Sequence, residues 1–598
     1  MKPTSAAAPG PEFDLITRPP VPVRFEGAGE RRGPLTLGQL DTLEWLDYVP
    51  EAPTADISRR LDLPHAARLE DVVESVAVIL ARHETLRTRV VTGERPHQVV
   101  LASGVFLIDA YEFEASDTDL DSMGRAGLGD ELCQRLREDV AVRPGPLPLR
   151  VAVAMASGTV LAGAACYSHM AVDDRAVMIV GREFAELVRI PAARLAAAPR
   201  HQPVDQAELE HGDAMRARVD GTLAYWQRQL LRMPHCLYAA PRVGLTTSSV
   251  MVQMSSPAVT AALRHISART RMSRSSAVLA AICALLARRT GYRRLVFPVL
   301  SGNRFERHLS DYVGTLSQST LAVVDTDTPS FDQLAGRAWS AIVQSGRHGM
   351  YDAGLRNDVV GRVQRDRGVR FNFEPVFNST IFDDALPAKT GAGPAARPDL
   401  PDLGLTTLRS REIPSTLAII RFDLDFVADQ IHLAIRAGDT SRIPAGDAEA
   451  MLLAIERVLV AAAYGDLDSG RMEEVLAMDP LPRGADWLFV DPYWVEESEV
   501  RQVVRDAVAP NPCQVFREAA ASGEAAASGE ALVAYVAASE SLRTPAQAHD
   551  RCLDILPDHP TAIAPHRYVL CDGAPAQPED LTGWRGRALR EGTGRAEL

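Results

Sequence analysis

From about Val21 to Ala463, short apolar runs and helix-period patterns alternate along the chain without a long break. Residues 149–155 and 159–167 are near-continuous apolar runs separated by a turn at Gly158. That pattern predicts a hairpin of strands buried on both faces. Asp173 and Asp174 follow, ahead of Ala176, Val177, Val180, Phe184, Leu187 and Val188 at helical spacing. A helix is predicted to open at the acidic pair, because a carboxylate there caps free N–H groups and suits the positive helix end. The longest apolar run, residues 277–287, has Arg269, Arg271 and Arg274 before it and Arg288 and Arg289 after it. It is far short of the ~20 residues that span a bilayer and predicts a buried helix.

One segment precedes this alternation, two interrupt it and a further change follows it. Residues 1–20 are rich in Pro and Ala and are expected to be disordered. Residues 190–220 read as a connector that runs into a helix, and residues 383–406 as a long Gly/Pro-rich exposed loop. Near Asp479-Pro-Leu-Pro the pattern restarts. The expected organisation is a first lobe over 21–200, a second over 201–465 and a small α+β domain over 480–598. The fold class is mixed α/β. A direct repeat, Ala519-Ala-Ala-Ser-Gly-Glu524 and 525–530, is too short for a solenoid and reads as a duplication in a tolerant loop.

Composition narrows the functional classes. Apolar residues are 46% and charged residues 24%, the balance of an ordinary globular chain. A net charge of -14 argues against a nucleic-acid partner, which calls for a basic face. Only Lys2 and Lys389 among the 64 basic residues are lysines, a skew that fits GC-rich coding better than arginine chemistry. Seven cysteines lie scattered without CxxC or Cys/His spacing, so no metal site is expected and a reducing cytoplasm is. The first residues lack the apolar segment of a secretory signal, and no membrane partner is expected.

The candidate chemistry is Ser168-His-Met-Ala-Val-Asp-Asp174, at the predicted strand-to-helix turn. A histidine delivered there by a buried strand can face a cleft, and Asp173 can tie the turn to another element. The spacing alone is weak, since about two His-xxx-acid pairs arise by chance in such a chain. Two others occur: His201 to Asp205, where the histidine is expected to be solvated, and His348 to Asp352, where it sits in a helix-like stretch (331–350) and is expected to be packed or capping. On the residues alone, His169 stands open between a catalytic and a structural role.

Several segments, in order, resemble the condensation domains of nonribosomal peptide synthesis, a branch of the chloramphenicol-acetyltransferase-like acyltransferases. Pro34-Leu-Thr-Leu-Gly-Gln39 is similar to the opening motif, and Arg82-His-Glu-Thr-Leu-Arg-Thr88 to nearly all of the second. Ser168–Asp174 stands where the family has His-His-xxx-Asp-Gly. Tyr225-Trp-Gln-Arg-Gln-Leu230 resembles the linker helix, Ser301-Gly-Asn-Arg304 and Val313-Gly-Thr-Leu-Ser-Gln318 the fifth motif, and Phe422-Asp-Leu-Asp-Phe426 a late strand. The resemblance spans about 21–465. It implies a V-shaped pair of α/β lobes around a tunnel, in which phosphopantetheine arms meet near His169. It implies an acyltransferase that joins an acyl thioester, borne by a carrier protein or CoA, to an amine or hydroxyl. No bound cofactor is implied; the partners are carrier proteins and adenylating enzymes.

By that resemblance His169 is the base or positioning group. Ser168, Asp173, Asp174 and Arg304 are support residues, with Arg304 the partner of Asp173, and Tyr167 and Gln318 are candidates for the tunnel lining. Arg82, His83 and Arg87 read as scaffold at a helix-to-strand corner. Two departures matter: Ser168 replaces the first histidine, and Asp174 replaces the terminal glycine. An aspartate adds bulk and negative charge beside a developing oxyanion. The alternative is therefore a catalytically silent homologue that recruits carriers or tailoring enzymes. Val500-Arg-Gln-Val-Val-Arg-Asp-Ala507, Ala531-Leu-Val-Ala-Tyr-Val536, Leu556-Pro-Asp-His-Pro and Ala564-Pro-His-Arg-Tyr-Val569, within residues 480–598, faintly resemble the small subdomain of adenylate-forming enzymes. The alternative is an unrelated small α+β domain, and no lysine follows Lys389 to supply that subdomain's catalytic ammonium. No Gly-x-Ser-x-Gly elbow, phosphate-binding loop or phosphopantetheine attachment segment is apparent.

Overall fold

The structure is a computed structural model and describes residues 13–48, 56–65, 67–113, 122–142, 147–191, 193, 201–244, 248–380, 398–414, 419–427, 430–490, 493–520 and 529–595. The chain divides into two compact units. The first holds the chain up to Thr222 together with residues 302–318 and 350–354; the second holds 223–301, 319–349 and 355–598.

In the first unit the main sheet uses β1 (Leu15–Glu26), β2 (Asp56–Arg60), β3 (Ser103–Phe113), β4 (Leu149–Ala156) and β5 (Thr159–Ser168), in the spatial order β1-β3-β4-β5-β2. β4 and β5 form the expected hairpin around Gly158, whose φ of +80° is open to glycine without strain. Alternation along β4 sends Val151 and Val153 to one face and Ala152, Ala154 and Ala156 to the other. The first face is covered by α2 (Leu69–Arg82) and α4 (Asp174–Arg189), the second by α3 (Ser122–Val142), where small alanines let the helix lie close. The helix α1 (Leu37–Tyr48) opens on a reciprocal capping box: Gln39 N–H donates to Thr36 Oγ1 (3.1 Å) and Thr36 N–H to Gln39 Oε1 (2.9 Å).

Two expectations are corrected here. Chain order begins before Val21, because Phe13 meets Phe113 edge-on and β1 pairs with β3 from Leu15, stepping over Pro19-Pro20 by a register shift. The first unit also continues past residue 200. Gln202 Nε2 donates to the Arg82 carbonyl (2.9 Å), Glu84 N–H to Gln202 Oε1 (3.1 Å) and Leu37 N–H to the buried Glu210 (2.6 Å). His201, expected to be solvated, is half-buried, shares a hydrogen bond with Gln206 (2.7 Å) and lies edge-on to His308.

The second unit is built on a seven-stranded mixed sheet that includes the strand Ile420–Val427 and is covered by the buried helix Arg274–Thr290. His348 lies just past the helix Phe331–Gly346 and stacks on Tyr225 with ring centroids 4.2 Å apart, the packed one of the two roles expected for it. Residues 480–595 add a hairpin and a four-stranded sheet around the buried Trp584. They are bonded into the same unit: Arg483 Nε donates to the Ala239 carbonyl (3.0 Å), Trp494 Nε1 to that of Thr290 (3.0 Å) and Ala564 N–H to that of Gly368 (2.8 Å). Residues 381–397 of the predicted loop, and 521–528 of the repeat, lie outside the described residues. No helix among the described residues is long and apolar enough to cross a membrane.

Glu374 is buried in the second unit, where its carboxylate accepts from the Ile419 and Ile420 N–H groups and from Cys236 Sγ (3.4 Å). Desolvation pushes it up to about 7 despite these donors. A carboxyl raised in the folded state holds its proton longer there than in the unfolded chain. Its stabilising contribution is therefore full below the ordinary value of 4.5 and is lost as pH rises through 7. Glu374→Gln should be insensitive to this loss. Melting curves from pH 5 to 8 should show the variant gaining on the natural protein by on the order of 1–3 kcal/mol; a constant gap across that range contradicts the assignment.

Candidate active site

Ser168 ends β5, and its carbonyl accepts from Ala171 N–H (2.9 Å) and Val172 N–H (3.2 Å), which turns the chain through His169 and Met170. Ser168 Oγ accepts from Met170 N–H (3.3 Å) and tightens the turn. Two residues from other segments pin it: Thr85 Oγ1 donates to the Ala171 carbonyl (2.6 Å) and Gln39 Nε2 to the Met170 carbonyl (3.4 Å). Ala171 and Val172 are buried beneath, so the turn cannot lift away without exposing core.

Asp173 is the N-cap of α4, its Oδ1 accepting from Ala176 N–H (2.9 Å). Arg304 clamps the same carboxylate, Nη2 to Oδ1 and Nη1 to Oδ2, both at 2.7 Å. Oδ2 also accepts from Leu316 N–H (3.0 Å) and Ser317 Oγ (3.2 Å). The Asp173 side chain is 2% exposed and that of Arg304 9%. One buried carboxylate thus ties the His169 turn to the 302–318 segment. That segment lies close against α1, where a side-chain carbon at Gly38 would meet the Thr315 carbonyl at 2.5 Å. Glycine is required there by approach, not by dihedral angle.

The second-motif corner is held by ion pairs. Arg82 and His83 both reach Glu183 of α4 (2.5 and 2.6 Å), and the buried Arg87 donates to the Leu101 and Gly29 carbonyls. Among these residues only Thr85 touches the His169 turn directly.

His169 is half-buried. Desolvation holds its imidazole below the ordinary 6.5; the Asp174 and Asp173 carboxylates and hydrogen bonding to the Val172 backbone oppose this, and Arg59 reinforces it. The shift favours the neutral ring at pH 7. Trp45 of α1 lies edge-on to it with centroids 5.9 Å apart. Asp174 turns to β2, where Arg59 Nη2 donates to its Oδ1 at 2.7 Å.

Two expected lining residues are corrected. Tyr167 is 3% exposed and packs in the first unit's core between Ile57 and Leu149 of the neighbouring strands, and burial drives its phenol well above the ordinary range. Gln318 is 1% exposed and donates to the Tyr351 carbonyl (2.9 Å). Both are structural. Trp45 and Arg59 were not singled out by any motif, whereas Gln39 and Thr85 lie inside quoted segments.

Residues 58–435 match the Condensation domain model. This chain belongs to the condensation-domain family. Among curated proteins it is 25% identical over 360 residues to the phosphinothricin tripeptide synthetase PhsC of Streptomyces viridochromogenes, covering 57% of this chain and 31% of that one. The chain therefore spans about a third of that relative's length. Among solved structures it is similar to SgcC5 from Streptomyces globisporus (TM-score 0.52, 19% identity, 72% of this chain and 98% of that one). It is likewise similar to the first condensation domain of the calcium-dependent antibiotic synthetase (TM-score 0.51, 17% identity, 73% and 97%). The starter condensation domain of the rhizomide synthetase RzmA matches with a TM-score of 0.52 at 12% identity, covering 75% and 97%. At such identities the structural likeness speaks for the fold.

The clamp leads to a double-mutant test. Asp173→Ala leaves a guanidinium, two backbone N–H groups and a hydroxyl without their acceptor in a buried setting and should cost about 3–5 kcal/mol in denaturant unfolding. Arg304→Met combined with it should cost much less than the sum of the two single changes; additive costs would mean that the two side chains do not act as one unit.

Proposed function

We propose that this protein is a condensation-type acyltransferase that joins a thioester-borne acyl group to an amine or hydroxyl acceptor in nonribosomal-peptide-type biosynthesis. The observation that carries this reading is His169: half-exposed, neutral and fixed at the end of a core strand, in a chain of this family. A neutral imidazole takes the proton that the nucleophile must lose as it attacks the thioester carbonyl. The same proton then serves the departing thiolate, so one group balances the reaction. Holding the two reactants together supplies much of the remaining acceleration.

The donor is read as an acyl group on the phosphopantetheine of a carrier protein or on CoA, with carriers and adenylating enzymes as partner proteins. In support, the starter condensation domain of RzmA has been solved with C8-CoA, and SgcC5 with a naphthyl ethanediol. The silent-homologue reading rested on the bulk and charge of Asp174 and on the lysine-free C-terminal unit, and of these Arg59 balances the charge. Residues 480–598 are read as a non-adenylating appendage, since they contain no lysine.

With acyl-CoA or acyl-N-acetylcysteamine donors and an amine acceptor, His169→Ala should lower turnover by about 10²-fold or more while its melting temperature stays unchanged. Turnover equal to that of the natural protein would remove His169 from the mechanism.

A further inference from the structure

Away from the His169 turn, the second unit holds an open cleft of about 630 Å³ whose lining comes from three places in the chain. The helix Pro545–Ile555 presents Ala546, Asp550, Leu553 and Asp554, at i, i+4, i+7 and i+8 along one face. Arg365 stands in the last turn of the helix Ala353–Arg367, and Gly594 and Arg595 follow the strand Ala588–Gly592. These walls are fixed to one another. His549, buried on the first helix, donates through Nε2 to the Arg365 carbonyl (2.9 Å), which leaves Nδ1 to accept from the Tyr568 hydroxyl (3.3 Å). Burial holds that imidazole below the ordinary 6.5, so it adds no charge to the cleft. Gly594 lies so close to the start of the same helix that a side-chain carbon there would meet the Pro545 carbonyl at 2.6 Å. The Arg595 guanidinium reaches Gly368, just past the helix that carries Arg365: a side-chain carbon at Gly368 would meet its Nη2 at 2.9 Å.

Two guanidiniums and two carboxylates thus line one opening. Among the described residues, the side chains of Arg365, Asp550 and Asp554 make no hydrogen bond or ion pair, and Arg595 Nε is buried without an acceptor. A buried donor left unpaired is costly, and a ligand that bears both signs would satisfy both sets of groups. The four charges sum to zero, which disfavours a polyphosphate or a polyamine and matches a zwitterion. Leu553 and Ala546 supply apolar contact beside them. We propose that this cleft binds a small zwitterion of the free α-amino-acid class, with its carboxylate against Arg365 and Arg595 and its ammonium against Asp550 and Asp554. The site lies wholly within the second unit and uses none of the groups assigned to the reaction, so it stands or falls apart from the acyltransferase reading. Its walls belong to residues 365 and 546–595, so a bound zwitterion ties the C-terminal region to the helix Ala353–Arg367 and stabilises the folded chain.

The test is calorimetric titration of the full chain with L-leucine, beside 4-methylpentanoate and 3-methylbutylammonium, which keep its carbon skeleton and one charge each. L-Leucine should bind about tenfold or more tightly than either analogue. Asp550→Asn and Arg595→Gln should each weaken it by about tenfold, whereas His169→Ala should bind it as the natural protein does. L-Leucine should also raise the melting temperature of the natural protein, and raise that of the two cleft variants less. Melting curves without ligand show whether each cleft variant is folded, and Asp554→Asn and Arg365→Gln replace any that is not. No saturable binding of L-leucine, equal affinity for an analogue with a single charge, or affinity unchanged in the cleft variants would overturn the proposal. Binding lost in His169→Ala would overturn it too, since the ligand would then sit at the other site.

Discussion

The Asp173 carboxylate is the interaction on which the site depends. A buried carboxylate is costly unless its lone pairs are occupied. Here they are filled by Arg304 through two nitrogens, by the N–H groups of Ala176 and Leu316 and by the Ser317 hydroxyl. These donors come from the first turn of α4 and from the 302–318 segment, which are more than a hundred residues apart in the chain. The acceptor they share lies four residues after His169. Moving the histidine turn would strip at least one of these groups of its partner, so the turn is rigid for an electrostatic reason.

Rigidity alone does not make a base. The ring must also be neutral and reachable, and the surroundings pull in two directions. Burial and Arg59 favour the neutral imidazole, while the two acids favour its protonated form. Asp173 is damped by its guanidinium clamp and Asp174 by Arg59. Desolvation prevails, and in the proposed mechanism the acids would stabilise the imidazolium formed briefly. Asp174 therefore changes meaning once Arg59 is seen: a charge that looked obstructive in the sequence is one half of a balanced pair.

Much of this was legible in the amino-acid order. The β4–β5 hairpin, the acidic start of α4 and the buried helix over 274–290 follow from apolar runs and capping chemistry, which are local properties. Even the pairing of Asp173 with Arg304 could be named, because a motif placed both near one site. What escaped is what depends on packing across distance. Tyr167, just before one motif, and Gln318, at the end of another, suggested a lining role, yet burial and the Tyr351 carbonyl claim their side chains. Trp45 and Arg59 carry no signal of their own, since an exposed tryptophan on a helix and an arginine on an edge strand become informative only when the first meets His169 and the second Asp174. The N-terminal strand escaped because Pro19-Pro20 reads as a break, while a register shift lets β1 run through it.

The claim at the centre is that a fixed His169 stands neutral at physiological pH. The direct measurement is an NMR titration of the full chain carrying ¹³C-labelled imidazole, with the His169 signal assigned by its loss in His169→Gln. A midpoint below 6.5 is expected, because burial outweighs the neighbouring carboxylates. A midpoint at or above 6.5 would show that the acids dominate the ring, and it would contradict a base held ready in the neutral form.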